Sequence, residues 1–181
     1  MTRTAPGALL IAGFALAVAL RVAIGGVAVA DSVAAGLTFA AVLALLTFAA
    51  GTNCRLGRRS VAWGVGGAAV LLLPALLLAH PAPREGMFLP WALVVTVVAT
   101  AEEAFLRGAL FDALTRRFGE TAALVVTALC FAGLHLPLYG WHAMPLDLAV
   151  GLWLGALRRT TGTWTAPAIA HGLADLVAWW L

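Results

Sequence analysis

Long apolar segments alternate with short polar ones along the whole chain. A helix needs about twenty predominantly apolar residues to cross the hydrocarbon core of a bilayer. Segments of this kind recur, whereas the ten-residue alternation of a transmembrane β-barrel is absent. The pattern predicts helices at about 7–30, 33–50, 61–79, 90–118, 120–138, 145–157 and 164–180. We therefore expect an all-α, polytopic integral membrane protein with about seven transmembrane helices.

Composition points to the same class of protein. Of the 181 residues, 63% are hydrophobic and 10% are charged, whereas about 25% of the residues of a soluble domain are charged. All eleven basic residues are arginines, and most of them lie in the short segments between the apolar runs. We interpret them as topology signals and expect no nucleic acid partner. With no linker or repeat in the sequence, one transmembrane domain over 1–181 is the simplest prediction.

The arginines also predict the orientation of the chain. Basic segments follow the second, fourth and sixth predicted helices, and Arg3 precedes the first. With seven spans these positions lie on one side, which the positive-inside rule makes cytoplasmic. We expect a multi-pass protein of the cytoplasmic (inner) membrane with a cytoplasmic N-terminus. The first apolar run exceeds the roughly 7–15 residues of a signal-peptide core, so we expect this helix to be retained.

Three charges interrupt the fourth apolar segment. Glu102, Glu103 and Arg107 lie within six residues of one another, and each charged side chain near a bilayer centre costs about 2.5–3.5 kcal/mol. Such a cluster is a functional-site hypothesis by default. The i,i+4 spacing predicts a pair between Glu103 and Arg107, and Glu102, about 100° away, is then expected to face a cavity. Arg21, in the first segment, is expected to snorkel or to pair within the bundle.

Two further apolar helices carry imidazole groups at depth. His135 follows Phe131 by four residues, and His171 precedes Asp175 by four, so each pair shares a helix face. If the faces converge, Glu102, His135, His171 and Asp175 form one site. A carboxylate in a low-dielectric pocket can act as general base, one imidazole can hold the same water, and the other can donate to an oxyanion. We interpret Phe131 as a packing residue.

These residues, in this order, resemble the motifs of the CPBP family of intramembrane proteases. The family comprises CAAX proteases and bacteriocin-processing enzymes, relatives of the Ras-converting CAAX endopeptidase. The resemblance covers 90–181 and rests on Glu102-Glu103-x-x-x-Arg107, Phe131-x-x-x-His135 and His171-x-x-x-Asp175. It implies that Glu102 and His135 are catalytic and activate water, that His171 and Asp175 are catalytic through an oxyanion site, and that Glu103 and Arg107 support Glu102.

Asp175 departs from the family pattern, which often has asparagine at this position. An ionised aspartate cannot donate a hydrogen bond to an oxyanion. Asp175 would therefore act in its protonated form or by orienting His171.

The sequence thus predicts an intramembrane endopeptidase that hydrolyses a peptide bond of a membrane-associated protein or peptide by glutamate-activated water, within the lipid bilayer and without a cofactor. A zinc-dependent protease on the same residues stays open, because a glutamate, two histidines and an aspartate can also bind zinc and no His-Glu-x-x-His motif decides the matter. A non-catalytic bacteriocin-immunity or scaffold protein is a second alternative. A proton-coupled transporter is disfavoured by the small size and the lack of an inverted repeat.

Overall fold

The computed structural model describes residues 7–78 and 85–181, and this part of the chain contains helices and loops but no strand. The helices are α1 (Gly7–Gly25), α2 (Val33–Ala49), α3 (Arg58–Leu78), α4 (Phe88–Phe118), α5 (Glu120–Tyr139), α6 (Met144–Thr161) and α7 (Thr165–Ala178). They confirm the all-α class and the seven predicted helical segments.

Within residues 7–78 and 85–181, three helices are long and apolar enough to cross a membrane, judged by length and composition. They are α4, α5 and the segment Gly7–Ala28, which joins α1 to a short 3-10 turn. The number of spans and the side on which the N-terminus lies stay predictions.

Glycines and capping groups set several helix ends, and two ends differ from the prediction. The first helix stops at Gly25 and not near residue 30, because Gly26 adopts a left-handed φ of +55°. The sixth helix runs on to Thr161, where Gly162, with φ +71°, closes it. Glycine adopts this conformation with little strain, which is why it terminates helices. Ser32 caps α2, since its hydroxyl accepts from the Ala35 amide at 3.3 Å.

Helix α4 contains a wide turn directly after the two glutamates. It is α-helical over Phe88–Glu103, π-helical over Ala104–Leu110 and α-helical again over Phe111–Phe118. All residues of the π-helical part are buried. π-Helical segments are rare and occur frequently at functional sites. The site predicted from the charges therefore coincides with the irregular part of its helix.

Side chains from α6 hold this irregular part in place. Arg158 donates through Nε to the Arg107 carbonyl oxygen at 2.7 Å and through Nη2 to Asp112 at 2.7 Å. A Cβ added to Gly108 would lie 2.8 Å from the Thr52 side chain, so only glycine fits this close approach. The π-helical part is thus fixed both by its own sequence and by hydrogen bonds from another helix.

Helix α7 packs against α3, α4 and α6, while α1 packs on α2, and α2 on α4. The loops after α2 and α6 meet at one end of the bundle. Thr163 and Thr165 donate to the Arg55 carbonyl oxygen at 3.1 and 2.8 Å, and the Trp164 indole donates to the Asn53 carbonyl oxygen at 3.0 Å. Both loops therefore lie at the same end, as the predicted topology requires.

Candidate active site

The two adjacent glutamates of α4 each have their own arginine. Arg107 Nη1 donates to Glu103 Oε1 at 2.8 Å, and neither side chain is exposed. This confirms the pair predicted from the i,i+4 spacing. Arg21 Nη1 of α1 donates to Glu102 Oε1 at 3.3 Å. The expectation that Glu102 stays free of a partner is therefore wrong, and the expectation that it faces a cavity stays a prediction.

The physical reason for the second pair is burial. Glu102 is enclosed where α1 lies against the π-helical part of α4, and a buried carboxylate without a partner is strongly destabilising. Arg21 supplies the missing charge, which confirms the prediction that it pairs within the bundle.

His171 of α7 connects the glutamates to Asp175. Its Nδ1 lies 3.1 Å from Glu103 Oε1, and its Nε2 lies 3.4 Å from Asp175 Oδ2. The second contact confirms that His171 and Asp175 share a helix face, as the i,i+4 spacing predicted. Because carboxylate oxygens only accept, Nδ1 donates in the hydrogen bond to Glu103, whereas the Asp175 contact is an ion-pair distance. The imidazole is thus fixed between α4 and the next turn of its own helix.

The Phe131 ring lies between His135 of α5 and the other side chains of the site. His135 Nδ1 donates to the Phe131 carbonyl oxygen at 2.8 Å, so that Nε2 of the neutral ring is left as an acceptor. The Phe131 ring lies 4.5 Å from the ring of His135 and 5.3 Å from that of His171, and the Arg107 guanidinium stacks over it at 4.8 Å. The predicted packing role of Phe131 is confirmed, and its ring joins three side chains of the site.

Direct contacts join only part of the predicted catalytic set. Among residues 7–78 and 85–181, the hydrogen bond of Glu102 is made to Arg21 and that of His135 to Phe131, and neither reaches the other. Glu102 and His135 nevertheless lie close enough to Asp175 for Coulombic interaction, and Glu102 also acts on His171 in this way. The structure therefore gathers side chains of α4, α5 and α7 into one electrostatic cluster.

Asp147 joins this cluster without having been predicted. It lies in the first turn of α6, interacts electrostatically with His135 and His171, and has an enclosed Oδ2 atom with no hydrogen-bonding partner in the described part of the chain. An acidic residue in a first turn is usually explained by the helix dipole. Its position in the sequence therefore did not predict that Asp147 would interact with His135 and His171.

The side chains as arranged do not form a zinc site. No group of three His, Cys, Asp or Glu residues within the described ranges is arranged to hold a metal ion, whereas a zinc site needs three or four protein ligands. Arginine guanidiniums contact both glutamates, and carboxylates face both nitrogens of His171.

Several polar atoms of the cluster are enclosed without a protein partner. They are Glu103 Oε2 and the Nε atoms of Arg21 and Arg107, for which the described residues supply no hydrogen bond. Buried polar atoms of this kind are usually satisfied by ordered water. The cluster is therefore suited to holding water inside an apolar bundle.

Acids, imidazoles and arginines enclosed among apolar helices indicate a functional site. A family model described as type II CAAX prenyl endopeptidase Rce1-like matches residues 84–177, just over half of the chain. The chain therefore belongs to the Rce1-like family, and this membership indicates a protease of the CAAX type. Comparisons with the curated proteins and with the solved structures found no match.

Proposed function

We propose that this protein is a multi-pass intramembrane endopeptidase of the cytoplasmic membrane that uses a glutamate to activate water. Its substrate is a membrane-associated peptide or protein, and the new bond to the scissile carbonyl carbon comes from water, without a covalent intermediate. The observation that carries the proposal is the buried cluster of Glu102, Glu103 and His171, which lies inside the family-matched segment.

Glu102 is the base in this proposal because Glu103 is fully enclosed and one of its oxygens already accepts from two side chains. Glu103 Oε1 accepts from both Arg107 and His171, and its side chain has no exposed surface. The Glu102 side chain retains 3% exposure and makes its one hydrogen bond, among the described residues, to Arg21. Glu102 is therefore better able to meet a water molecule, and Glu103 orients Arg107 and His171.

His135 holds the same water from the opposite side. Its Nδ1 is committed to the Phe131 carbonyl oxygen, so Nε2 can accept a hydrogen bond from water. A water held between a carboxylate and an imidazole acceptor directs a lone pair towards the substrate. Glu102 takes one proton as the oxygen bonds to the carbonyl carbon, which is general-base catalysis.

His171 stabilises the charge that develops on the carbonyl oxygen. The contact between His171 Nε2 and Asp175 is 3.4 Å long, and the Asp175 side chain is 32% exposed. The substrate oxygen can therefore take the place of Asp175 on Nε2. When the tetrahedral intermediate collapses, the carbon–nitrogen bond breaks, and the proton held by Glu102 passes to the leaving amine. Donors aimed at such an oxyanion contribute about 10²–10³ in kcat.

The experiment that tests the proposal compares membrane-associated peptides by mass spectrometry. Cells producing the parent chain, Glu102→Gln or Glu120→Gln are compared at matched protein levels. Glu120 is the matched control, because its side chain is 57% exposed and pairs with Arg159 at the surface. We expect fragments that are present with the parent and with Glu120→Gln and absent with Glu102→Gln.

A paired probe tests the substrate class suggested by the family description. One fluorogenic peptide ends in a farnesylated cysteine followed by three residues, and its twin lacks the prenyl group. Purified protein in liposomes is expected to cleave at least one of the two, and the ratio between them measures recognition of the prenyl chain.

The same assays separate the rival hypotheses. A chelator that abolishes cleavage, with recovery on addition of zinc, would establish the zinc-dependent alternative. Fragments unchanged by Glu102→Gln would favour a scaffold or immunity protein. Proton uptake by the liposomes without any cleavage would favour a transporter, since buried acids and histidines also serve proton relays.

A further inference from the structure

Arg21 links α1 to Glu102, the proposed base. It is the one charged residue in the α1 sequence, and it is buried, with 8% of its surface exposed. Its Nη1 atom lies 3.3 Å from Glu102 Oε1, although 81 residues separate the two positions. Arg21 lies outside the family-matched segment 84–177, so family membership assigns it no role.

Two ring contacts fix the position of this guanidinium. Phe14 of α1 stacks on Phe105 of α4, with ring centroids 5.6 Å apart and planes within 11°. This contact sets how far α1 is displaced along α4 and so places Arg21, two turns further on, beside Glu102. The Arg21 guanidinium also stacks over the Phe39 ring of α2 at 4.8 Å. A cation fixed by a ring and a carboxylate is not a snorkelling side chain that reaches for water.

We propose that Arg21 is a positioning residue that holds the Glu102 carboxylate in the orientation from which it activates water. The proposal rests on the proposed function in one respect, namely that Glu102 is the base. It makes α1 a part of the active site and not only a membrane anchor. Arg107 of α4 then orients Glu103, and Arg21 of α1 orients Glu102.

The first test measures cleavage of the farnesylated probe, or of its unprenylated twin if that is the better substrate, by purified protein in liposomes. Arg21→Gln is expected to lower kcat by about 10²-fold, the typical loss for a group misplaced by about 1 Å. KM is expected to stay near the parent value. Arg21→Lys restores the charge and is expected to recover part of kcat. Arg116→Gln, at an exposed position near the end of α4, is the matched control and should behave like the parent.

The second test is a double-mutant cycle on Tm and needs no substrate. Arg21→Gln leaves the Glu102 carboxylate buried without its cation, so Tm should fall clearly. In the Glu102→Gln background the same substitution removes a cation that has no anion to balance, so Tm should fall far less or should rise. Non-additivity of this kind isolates the pairwise interaction. If Arg21→Gln alone does not fold, a folded Arg21→Gln, Glu102→Gln double variant shows the same interaction as rescue, and an unfolded double variant argues against it.

The outcomes separate this inference from the proposed function. Equal Tm losses in the two backgrounds, or a parent-like kcat for Arg21→Gln, would overturn the positioning role of Arg21. If Glu102→Gln cleaves as fast as the parent, the proposed function fails, yet the Tm cycle still shows whether Arg21 and Glu102 interact.

Discussion

One buried arginine from the three N-terminal helices and one from the four C-terminal helices pair with the adjacent acids Glu102 and Glu103. The two arginines are held differently. Arg107 lies four residues from Glu103, is fully enclosed, and also donates to the Gly151 carbonyl oxygen at 3.0 Å. Arg21 reaches Glu102 from another helix, and its side chain keeps 9% exposure. Both guanidiniums stack on a phenylalanine ring at 4.8 Å.

From this difference we expect Arg107 to contribute mainly to stability and Arg21 mainly to the rate of the proposed reaction. Arg107 ties together α4, α6 and, through Glu103, α7, so the C-terminal half depends on it as a structural unit. Arg21 makes one longer hydrogen bond to one acid, so its loss should disturb Glu102 with less damage to the bundle. If the comparison is right, losing Arg107 is mainly a folding defect and losing Arg21 mainly a rate defect.

The largest expected effect is that of Arg107→Met. The substitution removes the cation between Glu103 and the Gly151 carbonyl oxygen, and breaking a buried pair typically costs about 3–5 kcal/mol. We expect a large loss of folded protein, measured as the free energy of unfolding in detergent. Arg159→Met is the control, because the Arg159–Glu120 pair is exposed and such pairs contribute at most about 1 kcal/mol. Equal losses for both variants would contradict the role given to Arg107.

Asp175→Asn should have a moderate effect and sharpens the account of the oxyanion site. Asparagine keeps the size of the side chain and adds an N–H donor, so cleavage is expected to persist. Asp175→Ala removes the contact that orients His171 and is expected to lose about 10²-fold in kcat, the typical loss for a group misplaced by about 1 Å. Assays of both variants in liposomes decide the point. An inactive Asp175→Asn variant would mean that the negative charge itself is required.

The smallest effect concerns the native cysteines, which report on membrane orientation. Cys54 is exposed in the loop between α2 and α3, and Cys130 is half-buried in α5. With a cytoplasmic N-terminus, a membrane-impermeant maleimide should label Cys54 only after the cells are permeabilised, as mass measurement of the protein can show. Cys54→Ser is the control and should leave cleavage unchanged. Labelling of Cys54 in intact cells would reverse the predicted topology.

Periodicity predicted the helices and the local pairs because both depend on short sequence separations. The seven helical segments, the Glu103–Arg107 pair and the His171–Asp175 contact all follow from spacing along a helix. The family motifs further predicted which side chains act in hydrolysis, and that assignment stays a prediction.

The contacts that the sequence did not predict are made between residues far apart in the chain. The partner of Glu102 is fixed by where α1 lies against α4, and the place of Asp147 by the turn between α5 and α6. The π-helical part of α4 is likewise stabilised by Arg158 from α6. None of these contacts leaves a periodic signal in one chain.

The most direct test of the central claim measures peptide cleavage by purified Glu102→Gln protein in liposomes, beside the parent and Glu120→Gln. We predict parent-like cleavage for Glu120→Gln and none above background for Glu102→Gln, with all three proteins folded by Tm. Substantial cleavage by a folded Glu102→Gln protein would contradict the assignment of this glutamate as the base that activates water.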